Sequence, residues 1–314
     1  MADRDEQEAL EITVDQTVAA LLKYQEEKAV SQTTLGRAIG VSGPVISTFL
    51  QKNYKGDVEK IARQIRDFLA LELEREQVFK SPQFINTRQA RNVTLVCQMA
   101  HTYGFLGLVL ARAGLGKTTA LQEYKETHSN VAMITASTWN CSRGAIASLL
   151  GRAVRVSSTY SNLTDVVELI LHKLGSGALI IIDEAQHLPR ETLDGIRYIH
   201  DMAHIGIVFS GTLQVAARLV DKRVGINYEQ LASRVGIRRT LAEKVTRDDV
   251  RKILEQAIPN AGDDILEYCC QKANGQGAFR AMTRYMQVAL AIAEASREKI
   301  SLKHFEAAQT ELMI

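Results

Sequence analysis

The sequence predicts an α/β protein whose parallel sheet, layered with helices, is preceded by an all-α region and followed by a second helical one. Three observations carry that expectation. Short apolar runs alternate with helical stretches from about residue 93 to 242. One of these runs, Leu106 to Leu110, leads into a glycine-rich loop and then a helix. On either side of this region, apolar residues recur with helical rather than strand-like spacing.

A chain of 314 residues holds roughly two domains, and 46% apolar with 24% charged residues is the balance of an ordinary globular protein. A formal net charge of +2 creates no strong overall field, so contact with a polyanion must come from local patches. The cysteines Cys97, Cys141, Cys269 and Cys270 form no C-x-x-C pair and no zinc-type spacing, which predicts buried thiols in a reducing compartment. The acidic N-terminus lacks the layout of a signal peptide. Apolar runs such as Ala178 to Ile182 fall far short of the roughly 20 residues that span a bilayer. The expectation is a soluble, cytoplasmic protein with no membrane contact.

Four segments are expected: a helix-turn-helix domain at 1–75, a linker at 76–92, an α/β core at 93–244 and a helical subdomain at 245–314. Between about 10 and 75 the pattern predicts short helices with an apolar stripe. The stripe runs through Val18, Leu21, Leu22, Leu35, Ile39, Val45, Ile46, Phe49, Ile61, Ile65, Phe68 and Leu69. Within it, Gln32 to Leu50 has the spacing of a helix-turn-helix. Gly36 leaves room for the second helix, Gly40 permits the turn, and Pro44 sits in the first turn of the second helix. Placed in a major groove, that helix would bring Ser42, Ser47 and Gln51 to base edges or sugars, and Arg37, Lys52 and Lys55 to phosphates. Residues 1–75 as a whole carry ten basic and thirteen acidic groups, so the footprint is small and a protein-docking role stays open. Pro82 and the polar residues after it mark the linker.

In the core, strands are expected at Leu106–Leu110, Val131–Thr135, Leu179–Ile182, Ile205–Phe209 and Gly236–Leu241. Helices are expected at Arg247–Ala257, Asp263–Lys272, Ala278–Ser296 and Leu302–Met313, the first capped by Thr246 with Asp248 and Asp249 in its first turn.

The first strand runs into Ala111-Arg-Ala-Gly-Leu-Gly-Lys-Thr118, which matches the phosphate-loop pattern G-x-x-x-x-G-K-[ST] except that Ala111 replaces the first glycine. Gly114 and Gly116 allow backbone N–H groups to turn inward around phosphates, and the following helix adds the positive end of its dipole. The nucleotide-holding set is Ala113, Gly114, Leu115, Gly116, Lys117, Thr118 and Thr119. Lys117 is expected to reach the β- and γ-phosphates of ATP, with the Thr118 hydroxyl on Mg²⁺. The strand Leu179 to Ile182 ends in Asp183 and Glu184, which places Asp183 to hold Mg²⁺ and Glu184 to orient and deprotonate a water.

This order of parts resembles the AAA+ ATPases. The resemblance implies that Thr212, with Ser210 as the other candidate, meets the γ-phosphate or the attacking water at the tip of the fourth strand. Thr212 departs from the asparagine often found there. It further implies an arginine finger acting on a neighbouring subunit, assigned to Arg234 with Arg238 and Arg239 as alternatives. Arg280, in Gly-Ala-Phe-Arg, would be a sensor joining the helical lid to the nucleotide.

Taken together, the helix-turn-helix, ARAGLGKT, LIIIDEAQHL, IGIVFSGT, QLASRVGIRR and GAFR resemble the B proteins of Mu-like transposable phages over nearly the whole chain. That resemblance implies ATP-dependent self-association into a helical filament on double-stranded DNA with little sequence preference. It also implies stimulation of a DDE transposase, delivery of target DNA to it, release on ATP hydrolysis, and a place in the host cytoplasm. Arg143 and Arg152 are candidates for lining the filament's DNA channel. Two other readings are a helicase-loader-like AAA+ adaptor and a DNA-binding regulator for which ATP is only a ligand.

Overall fold

The computed structural model describes residues 2–78, 84–156, 162–175, 177–215 and 233–312, with 2–13 and 73–78 described as backbone only. Backbone proximity divides the chain into two compact units, 1–81 and 82–314.

The first unit contains α1 (Ala2–Lys28), α2 (Gln32–Ile39), α3 (Gly43–Leu50) and α4 (Val58–Val78). The Ser31 hydroxyl caps α2 by accepting from the Thr34 amide at 3.2 Å. Gly40 ends α2 in the left-handed region, at φ 87°, and the amides of Gly40 and Val41 both return to the Gly36 carbonyl. Pro44 lies in the first turn of α3, where no N–H is needed. The two short helices bury Leu35, Ile39, Ile46 and Phe49 against Val18 and Leu21 of α1 and Ile61, Ala62 and Ile65 of α4.

Two expectations here are corrected. The helices flanking the pair are not short: α1 and α4 run to 27 and 21 residues. Their many polar helix formers, uninterrupted by glycine or proline, sustain a helix beyond the stretch that apolar periodicity marks. Leu22 is 42% exposed, because it stands about 100° around α1 from the buried Leu21. Of the residues read as linker, Val78 ends α4, 79–83 lie outside the described residues, and 88–92 belong to the next helix.

The second unit opens with α5 (Arg88–Tyr103), capped by Thr87. Five strands follow, β1 (Leu106–Leu110), β2 (Val131–Thr135), β3 (Leu179–Asp183), β4 (Gly206–Gly211) and β5 (Val235–Thr240). They form one parallel sheet in the order β2-β3-β4-β1-β5. Between them come α6 (Lys117–Thr127), α7 (Arg143–Ala153), α8 (Leu163–Lys173) and α9 (Arg190–Ala203). β1, β3 and β4 are buried along their whole length, as uninterrupted apolar runs require. Their side chains alternate between two cores. Val109, Leu179, Ile181 and Val208 join the layer of α5, α6 and the C-terminal helices; Leu108, Leu110, Ile180, Ile182 and Phe209 join that of α7, α8 and α9.

The chain ends in α10 (Arg247–Ala257), α11 (Asp263–Asn274), α12 (Ala278–Ala295) and α13 (Leu302–Glu311). Thr246 caps α10 as its sequence predicts, accepting from the Asp249 amide at 3.2 Å. Cys97 and Cys269 are buried and their thiols pushed up to about 12 by that burial, whereas Cys141 and Cys270 are only half-buried, against expectation. Among the described residues no helix is long and apolar enough to cross a membrane.

At Gly36 an added Cβ would stand 2.8 Å from the Val41 carbonyl oxygen and 2.9 Å from the Gly43 nitrogen, both backbone atoms of the turn. We therefore expect Gly36→Ala to destabilise the N-terminal unit by about 1–3 kcal/mol, the usual cost of overpacking, despite alanine's better helix propensity. Chemical denaturation followed by circular dichroism measures this; unchanged stability would show that the turn yields freely.

Candidate nucleotide site

In an open parallel sheet the loops at the carboxyl ends of the strands form the ligand crevice. Here that edge gathers the loop after β1, the acidic end of β3 and the tip of β4. The Ala111 amide donates to the Gly211 carbonyl at 3.0 Å, so the β1–β4 ladder continues one step into the loop. Ala111 is not among the residues with positive φ, which explains why alanine is accommodated in place of glycine. Gly114 and Gly116 are left-handed, at φ 86° and 79°, and Gly116 is the N-cap of α6. Leu115 is buried in the core and contributes backbone only, while Ala113, Gly116 and Thr119 are exposed on the loop and first turn.

Lys117 is 7% exposed, and its Nζ donates to the carbonyls of Ala111 and Arg112 at 3.0 and 3.1 Å. Burial holds the lysine below its ordinary range. The charges of Asp183 and Glu184 push the other way, and that of Arg280 adds to the lowering. Arg280, exposed in the first turn of α12, is therefore within electrostatic reach of the loop lysine.

The Thr118 hydroxyl donates to Asp183 Oδ2 at 2.6 Å, bridging the loop helix to the end of β3. Asp183 is 1% exposed, and its other oxygen, Oδ1, has no hydrogen-bond partner. Ser210 Oγ and Thr212 Oγ1, at the tip of the neighbouring β4, are likewise buried and unpartnered. Such orphans are costly in a finished core and ordinary where a ligand completes the site. Among the described residues, no three His, Cys, Asp or Glu side chains converge. One carboxylate and one hydroxyl beside a phosphate-shaped loop is instead the donor set that suits Mg²⁺ shared with a nucleotide.

Two contributors escaped sequence reasoning. Arg112 sends its guanidinium from the loop to the Gly275 and Glu243 carbonyls, at 3.1 and 2.9 Å, tying the loop to the C-terminal helices. Gln186, in the 3-10 turn Ala185–His187, donates to Glu184 Oε2 and accepts from the Thr212 amide at 3.2 Å. No local pattern flags either residue, because Gly275, Glu243 and Thr212 lie far away in sequence. Glu184 itself is left-handed, at φ 54°.

The structure does not bring Arg234 to this edge. Its carbonyl accepts from the Leu106 amide at the start of β1, the opposite end of the sheet. Its guanidinium grips Asp201 of α9 through two bonds, at 2.6 and 2.9 Å. Burial raises the pKa of Asp201, but the hydrogen bonds and charges of Arg234 and His200 together outweigh it and hold the carboxyl below its usual range. The stabilisation is thus present above the ordinary carboxylate pKa and is lost as pH falls through the lowered one. Arg238 and Arg239 are exposed on the edge strand β5.

The remaining sequence candidates are scattered. In the first unit Arg37, Ser42, Gln51, Lys52 and Lys55 are exposed and Ser47 is half-buried. Ser42 stands at the N-cap of α3 and Gln51 at its C-cap, while Lys52 is paired with Asp15 of α1 at 2.7 Å. Arg143 and Arg152 are nine residues apart on α7, about 180° around the helix, with Arg143 lying against Gly195 of α9. They do not form one row.

Two family models match this part of the chain. A family model described as AAA domain matches residues 100–219, and one described as Mu B transposition protein, C terminal, matches 233–312. The chain thus carries an AAA-type segment followed by a Mu B-type one, and resembles the B proteins of Mu-like phages. The Mu-like prophage FluMu DNA transposition protein B of Haemophilus influenzae is 27% identical, over 84% of this chain and 93% of that protein. The ATP-dependent target DNA activator B of Escherichia phage Mu is 26% identical, over 93% of this chain and 92% of its own length. Among solved structures, a Thermotoga maritima RuvB variant aligns with a TM-score of 0.50 at 17% identity, covering 74% of this chain and 71% of that one, a likeness of fold alone. The Mu B-type segment contains Arg234, β5 and the four C-terminal helices, including Arg280.

A Cβ on Gly114 would collide with the Gly277 carbonyl, and its φ disfavours any other residue. Gly114→Ala should therefore weaken nucleotide binding by about tenfold or more, one decade being about 1.4 kcal/mol. Titration with a fluorescent ATP analogue checks this; wild-type affinity would mean that the loop is not the binding element.

Proposed function

We propose that this chain is an ATPase that assembles on double-stranded DNA in its ATP-bound form and presents that DNA to a DDE transposase. The observation that carries the nucleotide half is the Thr118–Asp183 bridge beneath a glycine loop, ringed by the unpartnered oxygens of Asp183, Ser210 and Thr212. The DNA and transposition half is supported by the likeness to target DNA activator B along nearly the whole chain.

In this reading the backbone N–H groups of Ala113 to Thr119 and the Lys117 ammonium bind the triphosphate, Lys117 leaving the loop carbonyls that it now contacts. Thr118 and Asp183 would hold Mg²⁺, whose charge offsets that of the β- and γ-phosphates. Glu184 takes a proton from the attacking water, so that ATP and water give ADP, phosphate and a proton. Ser210 or Thr212 orients that water or the γ-phosphate. Arg280 carries the nucleotide state into the helical lid.

Arg234 acts in trans, because it sits at the far end of its own sheet. To reach a neighbour's nucleotide it must leave Asp201, which makes hydrolysis depend on assembly. An arginine so placed is worth about 10³–10⁵ in rate. The helix-turn-helix unit contacts DNA through Arg37 and Lys55 at phosphates and Ser42, Ser47 and Gln51 in the groove, with Lys52 available once released from Asp15. Assembly into a helical filament in the host cytoplasm completes the proposal.

The test is electron microscopy and co-sedimentation of the full chain with linear duplex DNA. ATP with Mg²⁺ should give DNA-bound assemblies that dissolve steeply as salt rises, since non-specific binding is largely phosphate neutralisation. Lys117→Ala should abolish them, and Glu184→Gln should prolong them. Sequence-specific binding indifferent to ATP, with no effect of Glu184→Gln, would favour the regulator instead.

A further inference from the structure

Resting on the ATPase reading above, we infer that Gln186 is the positioning residue that fixes the Glu184 carboxylate and couples it to the tip of β4. The carboxamide spans two elements. Its Nε2 donates to Glu184 Oε2, and its Oε1 accepts from the Thr212 amide at 3.2 Å. Its orientation is unambiguous, because a backbone N–H only donates and a carboxylate only accepts. Reversing the amide would break both contacts.

The surroundings hold the bridge in place. Gly211 precedes Thr212, and a Cβ there would run into Gln186 Oε1, so the glycine leaves the space that the amide fills. Glu184 is left-handed at φ 54° and starts the 3-10 turn that carries Gln186, its carbonyl accepting from the His187 amide at 3.1 Å. A non-glycine residue in that region is strained by a kcal/mol or more and keeps the conformation only where neighbours enforce it. The turn places the Gln186 amide against both Glu184 and β4. Thr212 is one of the two hydroxyl residues at the tip of β4 whose oxygens are buried and unpartnered. Any shift of the β4 tip on meeting phosphate moves the Thr212 amide, hence the Gln186 amide, hence the base.

Gln186 touches neither nucleotide nor water in this scheme. Its loss should alter turnover and leave binding intact, a split that general damage to the fold would not produce. ATPase rates and ATP-analogue affinities of the full chain, measured with duplex DNA, test the inference on Gln186→Leu and Gln186→Glu, with Glu184→Gln in parallel. Gln186→Leu should lower kcat about tenfold or more while affinity stays within about twofold, as a base loses its placement but not its chemistry. Gln186→Glu sets a second carboxylate against the first. The two acids repel, so kcat should again fall about tenfold or more with affinity within about twofold. Wild-type kcat in both variants, alongside an inactive Glu184→Gln, would overturn the role of Gln186 and leave the ATPase reading standing. Failure of the wild-type chain to bind Mg·ATP would remove that reading, and the inference with it.

Discussion

The Thr118 hydroxyl of α6 donates 2.6 Å to the buried carboxylate that ends β3, and the geometry of the whole site depends on that bond. It can form only if α6 starts where Gly116 turns the chain, and if β3 ends level with that start. Both conditions are met by the sheet. β4 lies between β1 and β3 and is hydrogen-bonded to each, so the loop after β1 and the acid ending β3 flank the tip of β4. The cost of burying Asp183 at 1% exposure with one oxygen unsatisfied is accepted because the fully apolar strands behind it over-determine its position.

From that bond the coupling runs in two directions. Toward β4 it passes through Glu184, Gln186 and Thr212, three residues joined by side-chain and backbone hydrogen bonds. Toward the C-terminal helices it passes through the loop itself, where Arg112 holds two carbonyls of that region and Gly114 lies against Gly277. In the proposed reading, a change at the phosphates reaches both the base and the C-terminal helices through these contacts. Arg234 stands outside both routes, held by Asp201 at the other end of the sheet.

Much of the fold was legible because the signals were local. Leu179 to Ile182 reads as a buried strand from four consecutive apolar residues, and the acids after it lie at its end as the fold requires. Gly36, Gly40 and Pro44 foretell the helix pair because each answers a backbone requirement within a few residues. Thr246 caps its helix for the same reason. What escaped was tertiary. Leu22 belongs to an apolar sequence run but faces solvent, and the lengths of α1 and α4 exceed the periodic stretch. Arg112 acquires its role from carbonyls of the C-terminal region and Gln186 from the tip of β4, and Lys52 meets an acid from a helix that the sequence gives no reason to place beside it.

Binding of Mg·ATP to the 314-residue chain, followed by isothermal titration calorimetry with and without Mg²⁺, is the decisive measurement. One nucleotide per chain is expected, with an affinity that falls sharply when the metal is withheld and again when Asp183 is replaced by Asn. No heat at millimolar Mg·ATP, or an affinity indifferent to both magnesium and Asp183, would contradict it.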